Sequence, residues 1–156
     1  MIRKIARPML ASVFVVSGFD SIKNPAARAK MATPLLDKFG PMLNLPDDKE
    51  LIVRANGAAM LAGGALLATG RVPRLAATVL AVALLPTTIA GHAFWQESDP
   101  AQRARERNQF LKNIGLLGGL MLASVDTAGK PGLAWRAEQA RKGAAKKIQS
   151  AQASLG

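Results

Sequence analysis

The chain has 156 residues, the length of a single domain, of which 49 % are apolar and 20 % are charged. The lack of cysteine excludes disulfides, zinc–thiolate sites, iron–sulfur clusters and any dithiol relay carried by this chain, and a single histidine excludes a multi-histidine metal site. The net charge of +11 indicates a nucleic-acid binder or a protein at an anionic membrane surface, and the placement of the charge decides between these classes.

Four long stretches carry almost no charge and predict four helices, at about 5–23, 51–69, 74–95 and 109–126. A membrane-spanning helix needs about 20 mostly apolar residues, and the third stretch has no formal charge from Leu75 to Trp95. The second and fourth stretches reach this length if their polar first turns lie at the interface or face other helices. The first stretch is the weakest candidate. A cleaved signal peptide is its alternative, because a basic start precedes an apolar core from Met9 to Phe19.

The composition of the third stretch also distinguishes a membrane protein from a water-soluble helical bundle. A helix that faces water carries a polar stripe with a period of 3.6 residues, whereas the polar side chains between Leu75 and Ala90 are Thr78, Thr87 and Thr88. Such a helix would be buried on every side, which is difficult for a soluble domain of four helices. We therefore predict an all-α, membrane-embedded, up-down four-helix bundle over residues 1–128, followed by a basic tail over residues 129–156.

The charged residues predict the orientation of this bundle. Four spans place both termini on one side, together with the short turn from Arg71 to Arg74. Lys and Arg divide almost evenly between the two sides, but eight of the ten acidic residues would lie on the other side. Because cytoplasmic loops carry an excess of Lys and Arg, we expect a multi-pass protein of the cell membrane with both termini in the cytoplasm.

The first connection and the tail are both expected to lie at the membrane surface. Residues 24–50 contain four prolines and predict short helices that lie flat on the outer surface, with a plain solvated loop as the alternative. Asp47 is expected to cap the second spanning helix. The tail predicts a weakly amphipathic basic helix held by anionic lipid, or a solvated segment. Membrane lipids thus account for the positive charge, and we expect no nucleic-acid partner.

Small residues predict how the helices pack. In a membrane, helices associate through close contact of small side chains and through polar contacts. Small residues recur at a four-residue spacing in the second and fourth helices, at Ala55, Ala59, Gly63, Gly115 and Gly119. We expect them to mediate packing within the bundle, with a homo-oligomer interface as the alternative. Pro86 is expected to kink the third helix.

Polar residues occur at the same end of all four predicted helices. They are Asp20, Lys23, Arg54, Asn56, His92, Trp95, Lys112 and Asn113. Ionisable groups within a membrane usually face the bundle interior and pair with each other, so we expect Asp20 to pair with Arg54 or Lys112. His92 and Asn113 would complete a polar pocket for an electronegative head group, such as that of a quinone, a sulfur oxyanion or a lipid.

Each of these residues also has a purely structural interpretation. Arg54 and Lys112 would then extend to the membrane surface. Trp95 would be an anchor in the interfacial aromatic belt, and His92 would cap its helix.

Three motifs lie at the ends of the predicted helices: Ser17-Gly18-Phe19 followed by Lys23, His92-Ala93-Phe94-Trp95, and Phe110-Leu111-Lys112-Asn113. Over about residues 3–128, this pattern resembles the DoxX family of small bacterial membrane proteins. The resemblance implies a transmembrane four-helix bundle in the bacterial cell membrane. Relatives include a subunit of an archaeal thiosulfate:quinone oxidoreductase, and other members are linked to thiol and oxidative-stress systems. The resemblance marks Lys23, His92, Trp95, Lys112 and Asn113 as family positions without assigned chemistry.

Three functions are open to such a chain. The first is a subunit or scaffold of a redox or envelope-associated membrane complex, with another membrane protein as its partner and a quinone or lipid in the outer pocket. The second is a quinone-linked oxidoreductase of the thiosulfate:quinone type. That activity would need a borrowed cofactor, because the chain has no cysteine, metal-cluster motif or dinucleotide fingerprint. The third, a small transporter, lacks inverted repeats. Of the three functions, we expect that of a subunit or scaffold, and we expect the chain to have no intrinsic cofactor or metal.

Overall fold

The computed structural model describes residues 1–127, 129, 135 and 138–144. The chain divides into two units, residues 1–125 and 126–156. The first unit contains five α-helices: α1 (Ile2–Lys23), α2 (Pro25–Phe39), α3 (Lys49–Thr69), α4 (Pro73–Gly91) and α5 (Pro100–Val125). Two short 3-10 turns, Pro41–Leu43 and Phe94–Gln96, lie in its connections. In the second unit, residues 138–144 are helical. All secondary structure in the described residues is helical, which confirms the all-α class.

Three helices are long and apolar enough to cross a membrane: α1, α3, and α4 together with the 3-10 turn that follows it. The fourth predicted span is not among them. Its helix, α5, begins at Pro100 and carries four charged residues between Arg103 and Arg107. Length and composition therefore support three of the four predicted spans. α2 lies in the first connection, where short helices were predicted.

The four long helices alternate in direction. Arg7 of α1 lies beside Gly70, where α3 ends, because Nη1 of Arg7 is 3.3 Å from the position that a Cβ on Gly70 would occupy. Nε of Arg74, at the start of α4, donates to the carbonyl of Ser124 near the end of α5 at 2.8 Å. The start of α1, the α3–α4 turn and the end of α5 thus lie at one end of the unit.

The two ends of the first unit differ in charge. We call one the basic end, because it holds five cations and none of the carboxylates of residues 1–125: Arg3, Lys4, Arg7, Arg71 and Arg74. All eight carboxylates of residues 1–125 lie at the opposite, mixed end, among ten basic residues: Asp20, Asp37, Asp47, Asp48, Glu50, Glu97, Asp99 and Glu106. This end comprises the end of α1, α2, the start of α3, the end of α4 and the first half of α5.

Glycines bring α1 and α3 into close contact. A Cβ on Gly18 would lie 2.6 Å from the carbonyl oxygen of Gly57, and one on Gly64 would lie 2.8 Å from Cγ2 of Val15. Gly63 instead faces α4, because a Cβ on Gly63 would lie 3.0 Å from the side chain of Leu80. The predicted Ala55–Ala59–Gly63 face is therefore wrong as one surface, since Ala55 is exposed and Ala59 is partly buried.

The fourth helix packs through fewer of its small residues than predicted. A Cβ on Gly119 would lie 3.5 Å from the side chain of Leu10 in α1, whereas a Cβ on Gly115 would have no neighbouring atom within 4 Å. α5 packs mainly along α4, and its fully buried side chain is Leu120. The buried core comprises mainly side chains of α1, α3 and α4, with the largest being Phe14, Leu67, Leu80 and Leu120.

The first connection is a helix rather than a plain loop. α2 begins with Pro25, whose fixed φ suits the first helical position, and packs against α3 and α4. The side chain of Met31 comes within 4.0 Å of a Cβ placed on Gly91, at the end of α4. Asp48 caps α3, with its carboxylate accepting from the amide of Leu51 at 2.9 Å. The predicted cap, Asp47, is one residue too early.

Two helix boundaries also differ from prediction. α5 begins nine residues earlier, because Pro100 occupies its first turn, Asp99 accepts from the amide of Gln102, and the polar residues that follow are good helix formers. α4 ends at Gly91, and Phe94–Gln96 forms a 3-10 turn instead of continuing the helix. Pro86 lies inside α4, and the kink expected there stays a prediction. The hydroxyls of Thr87 and Thr88 each donate to the carbonyl of Leu84 at 2.8 Å.

Candidate functional site

The polar residues at the mixed end form two clusters instead of one pocket. The predicted pairing of Asp20 with Arg54 or Lys112 is wrong, because the partner of Asp20 is Arg28 of α2. The first cluster joins α1 to α2 around this pair. The second joins α4 to α5 around His92 and Glu106.

The Asp20–Arg28 cluster lies at the corner between α1 and α2. The guanidinium of Arg28 donates to the Asp20 carboxylate through Nη2, and through Nη1 to the Ser21 hydroxyl at 2.7 Å and to the Ser17 carbonyl at 3.3 Å. The side-chain amide of Asn24 donates to the other Asp20 oxygen at 3.0 Å. The chain turns directly from Asn24 into α2, and this turn places Arg28 beside the last turns of α1. The residue that neutralises Asp20 therefore precedes α3 in the chain.

An apolar groove adjoins this cluster. It has a volume of 510 Å³ and lies between α1, α2 and α3, with Val15, Val16, Ser17, Phe19, Asp20, Arg28 and Leu61 around it. The ion pair occupies one part of the lining, and aliphatic and aromatic side chains form the rest. Such a groove accommodates a molecule with one polar and one apolar part.

The His92–Glu106 cluster connects the end of α4 to the second turn of α5. Nδ1 of His92 lies 2.8 Å from Oε2 of Glu106, and the Gln102 side-chain amide donates to Oε1 of Glu106 at 2.8 Å. The side chains of His92 and Glu106 are 24 % and 21 % exposed. With both carboxylate oxygens engaged, Glu106 fixes the orientation of the imidazole ring.

Two side-chain amides form polar contacts below this cluster. Asn113 donates to the hydroxyl of Thr88 at 3.0 Å, which joins α5 to α4. Asn56 donates to the carbonyl of Ala83 at 3.3 Å, which joins α3 to α4. Both predicted residues therefore connect helices, each within a different interface.

Trp95 belongs to a group of three aromatic rings beside His92. Its ring centroid lies 5.2 Å from that of Phe94 and 5.9 Å from that of Phe110, with edge-to-face angles of 74° and 85°. Trp95 remains 49 % exposed. This geometry holds the α4–α5 connection against α5 and leaves part of the indole at the surface.

The remaining predicted site residues lie outside both clusters. Arg54 is exposed on α3 and faces Glu50 at 3.7 Å. Lys112 is exposed on α5 and donates to Gln109 at 3.0 Å. Lys23 is exposed at the last turn of α1, one helical turn from Asp20. Arg28 and Glu106 are site residues that the sequence does not predict. The prolines of residues 24–50 obscure the continuous helix that carries Arg28, and Glu106 lies three residues before the predicted start of the fourth helix.

The model of the DoxX family matches residues 2–93 of the chain. The chain belongs to the DoxX family. No curated protein and no solved structure matches it. The family match includes the Ser17-Gly18-Phe19 motif, Lys23 and His92, and ends before the Phe110–Asn113 motif. Family membership and the three membrane-length helices together identify a DoxX-family membrane protein.

The two clusters in this DoxX-family protein present different polar groups. No group of three or more His, Cys, Asp or Glu side chains within the described residues is arranged to hold a metal ion. Arg28 supplies guanidinium donors beside an apolar groove, and the His92–Glu106 pair supplies an oriented imidazole. The first arrangement can bind the head group of an amphiphile, and the second joins the end of α4 to α5 through an oriented imidazole.

Proposed function

We propose that this DoxX-family protein is a multi-pass subunit or scaffold of a redox or envelope-associated complex in the bacterial cell membrane. Its mixed end would face outward and bind the head group of a quinone or lipid. The observation that carries the proposal is the ion pair of Asp20 and Arg28 beside an apolar groove, at one end of helices of membrane-spanning length.

The distribution of charge supports a cytoplasmic basic end. Of the charged residues in the range 1–125, five cations and no carboxylate belong to the basic end, and ten cations and eight carboxylates belong to the mixed end. The six Lys and Arg that follow residue 125 in the sequence would bring the side of the basic end to 11 of the 21 Lys and Arg, and cytoplasmic segments carry an excess of these residues. In this orientation, α2 lies at the outer surface, and its exposed Met31 and Phe39 are available to the lipid interface.

The position of α5 supports a fourth crossing, although its composition alone does not. Its apolar part, Phe110–Val125, has 16 residues, and at about 1.5 Å per residue it is roughly 24 Å long. The Arg74–Ser124 hydrogen bond at one end and the His92–Glu106 contact at the other hold it along α4. A helix that is fixed alongside a membrane-spanning helix lies at the same depth in the membrane, which favours α5 as a fourth crossing.

A binding subunit accounts for the chain better than an enzyme does. The sequence contains no cysteine, so a thiol pair or a cysteine-bound cluster for electron transfer would have to come from another chain. Thiosulfate:quinone chemistry would therefore need a partner that carries the redox group. We propose that such a membrane or membrane-associated partner exists, and that the outer groove positions a quinone or stabilises the complex through lipid.

Purification in mild detergent tests this proposal directly. The full chain is isolated from native membranes at low detergent, and its bound lipids, quinones and proteins are identified by mass spectrometry. A partner in fixed stoichiometry, together with a bound quinone or lipid, is the expected result. Quinone bound without any partner would favour the oxidoreductase. A chain that is recovered from detergent-free buffer as a monomer would overturn the membrane assignment.

A further inference from the structure

We infer that the groove between α1, α2 and α3 binds one phospholipid, with its phosphate at Arg28 and an acyl chain along α1 and α3. This inference rests on the proposed function, because it requires the groove to face the bilayer. It narrows the proposed ligand from a quinone or lipid to a molecule that carries an anionic phosphate.

The first support is the unused donor capacity of Arg28. A guanidinium has five N–H donors in a planar fork. Three of these donate to Ser17, Ser21 and Asp20, and within the described residues the other two have no hydrogen-bond partner. Arg28 is 35 % exposed and lines the groove. The bonds to α1 hold the guanidinium in place, so a ligand oxygen meets an oriented donor.

The second support is the net charge at the polar part of the groove. Asp20 and Arg28, which line the groove, form an ion pair, and Lys23 adds a positive charge one helical turn from Asp20, outside the lining residues. One positive charge therefore remains after the ion pair has formed. A phosphate compensates this charge, whereas the neutral carbonyl of a quinone does not, and Arg is well suited to phosphate oxygens.

The third support is the apolar lining that extends from the ion pair. Val15, Val16 and Phe19 line the groove from α1, and Leu61 lines it from α3. Val16 and Phe19 are 69 % and 58 % exposed, so neither is covered by another part of the first unit. The volume of 510 Å³ falls within the roughly 300–1,000 Å³ typical of small-molecule sites, which suits one acyl chain and the adjoining phosphate.

Native mass spectrometry of the delipidated full chain tests the inference. The probes are phosphatidylglycerol, diacylglycerol with the same chains, a long-chain quinone and inorganic phosphate. We expect one phosphatidylglycerol to bind, and each of the other three to bind at least about tenfold more weakly, since charge-assisted hydrogen bonds contribute about 1.5–3 kcal/mol. Equal binding of diacylglycerol or quinone would overturn the role of the phosphate. Equal binding of inorganic phosphate would overturn the role of the acyl chain.

Variants then locate the site. Arg28→Gln removes the phosphate donor, and Val16→Trp fills the groove from an exposed position without touching the ion pair. Both are expected to weaken phosphatidylglycerol binding at least about tenfold. Arg54→Gln is the matched control, because Arg54 is an exposed cation at the same end whose ion-pair partner is Glu50 of the same helix. Phosphatidylglycerol binding by this variant is expected to be unchanged. If Arg28→Gln does not fold, Val16→Trp decides, and unchanged binding by Val16→Trp would overturn the inference.

The same preparations separate this inference from the proposed function. If the protein is integral to the membrane and holds its partner, but phosphatidylglycerol binds no better than quinone, then only the phospholipid assignment fails. If the protein is not integral to the membrane, the proposed function fails, and the groove has no bilayer to face.

Discussion

Gly18 and Gly57 face each other so closely that α1 and α3 meet backbone to backbone. A Cβ on Gly18 would lie 2.6 Å from the Gly57 oxygen and 2.7 Å from the amide nitrogen of Leu61. A Cβ atom does not come this close to a backbone oxygen or nitrogen, so any side chain at residue 18 must separate the helices. This contact, with Gly64 further along α3, replaces the hydrophobic driving force that is absent between helices in lipid.

Gly18→Ala is therefore expected to destabilise the protein by about 1–3 kcal/mol through overpacking. Gly115→Ala is the matched control, because Gly115 is also helical but has open space where a Cβ would lie. The control is expected to be neutral or to stabilise by up to about 1 kcal/mol through higher helix propensity. Thermal unfolding in detergent, followed by helical circular dichroism, measures both. Equal effects of the two substitutions would contradict the close α1–α3 contact.

The hydrogen bond from Asn113 to Thr88 is expected to couple α5 to α4. A double-mutant cycle of Asn113→Leu and Thr88→Val should give a coupling of about 0.6 kcal/mol and at most about 1.7 kcal/mol, the range found for polar contacts between membrane helices. Asn108→Leu with Thr88→Val is the control cycle, since Asn108 is exposed on α5 and should give no coupling. Zero coupling for Asn113 would show that this bond does not hold α5 in place.

Loss of the Glu106 carboxylate is expected to loosen the α4–α5 connection. Glu106→Ala leaves both His92 and Gln102 without the partner that they share, at a cost of about 1 kcal/mol because the site is partly exposed. Hydrogen exchange of residues 92–99 should accelerate. Glu97→Ala is the control, since Glu97 contributes its backbone carbonyl to Arg103, and the substitution retains that group. Unchanged exchange in Glu106→Ala would argue against the connection through His92.

The start of α3 allows a test at adjacent residues of the same type. Asp48→Ala removes the side chain that caps the amide of Leu51 and should cost about 0.5–2 kcal/mol of stability. Asp47→Ala removes an equal charge one residue earlier and should cost less. Unfolding of both variants under the same conditions compares them, and a larger effect at Asp47 would reverse the assignment of the cap.

The regular parts of the fold were predictable from the sequence because the apolar character of each long run is enough to determine them. Charge-free runs such as Leu75–Ala90 predict helices whether or not the partner helix is known, and α1, α3 and α4 begin and end within a few residues of the predicted bounds. The start of α5 was missed because its first turns are polar, so an apolar criterion does not detect them. Helix propensity and the Asp99 cap were the signals that remained in the sequence.

The candidate site was less predictable because it depends on which faces meet. The set of outer polar residues was identified, but the partner of Asp20 depends on α2 returning along α1, which the prolines of residues 24–50 obscured. Glycine spacing has the same limit: Ala55 and Gly63 share a sequence period, yet one is exposed and the other contacts Leu80. The predicted tail falls largely on residues outside the described part of the chain.

The central claim is that the mixed end faces outward and the basic end faces the cytoplasm, with α5 crossing beside α4. Because the chain contains no cysteine, four single-cysteine variants report on this directly: Met42→Cys, Ser98→Cys, Val72→Cys and Thr127→Cys. With a membrane-impermeant thiol reagent, we predict labelling of residues 42 and 98 in intact cells or spheroplasts, and labelling of residues 72 and 127 only after the membrane is opened. Labelling of residue 72 in intact spheroplasts would contradict the orientation, and labelling of residue 127 there would contradict the fourth crossing.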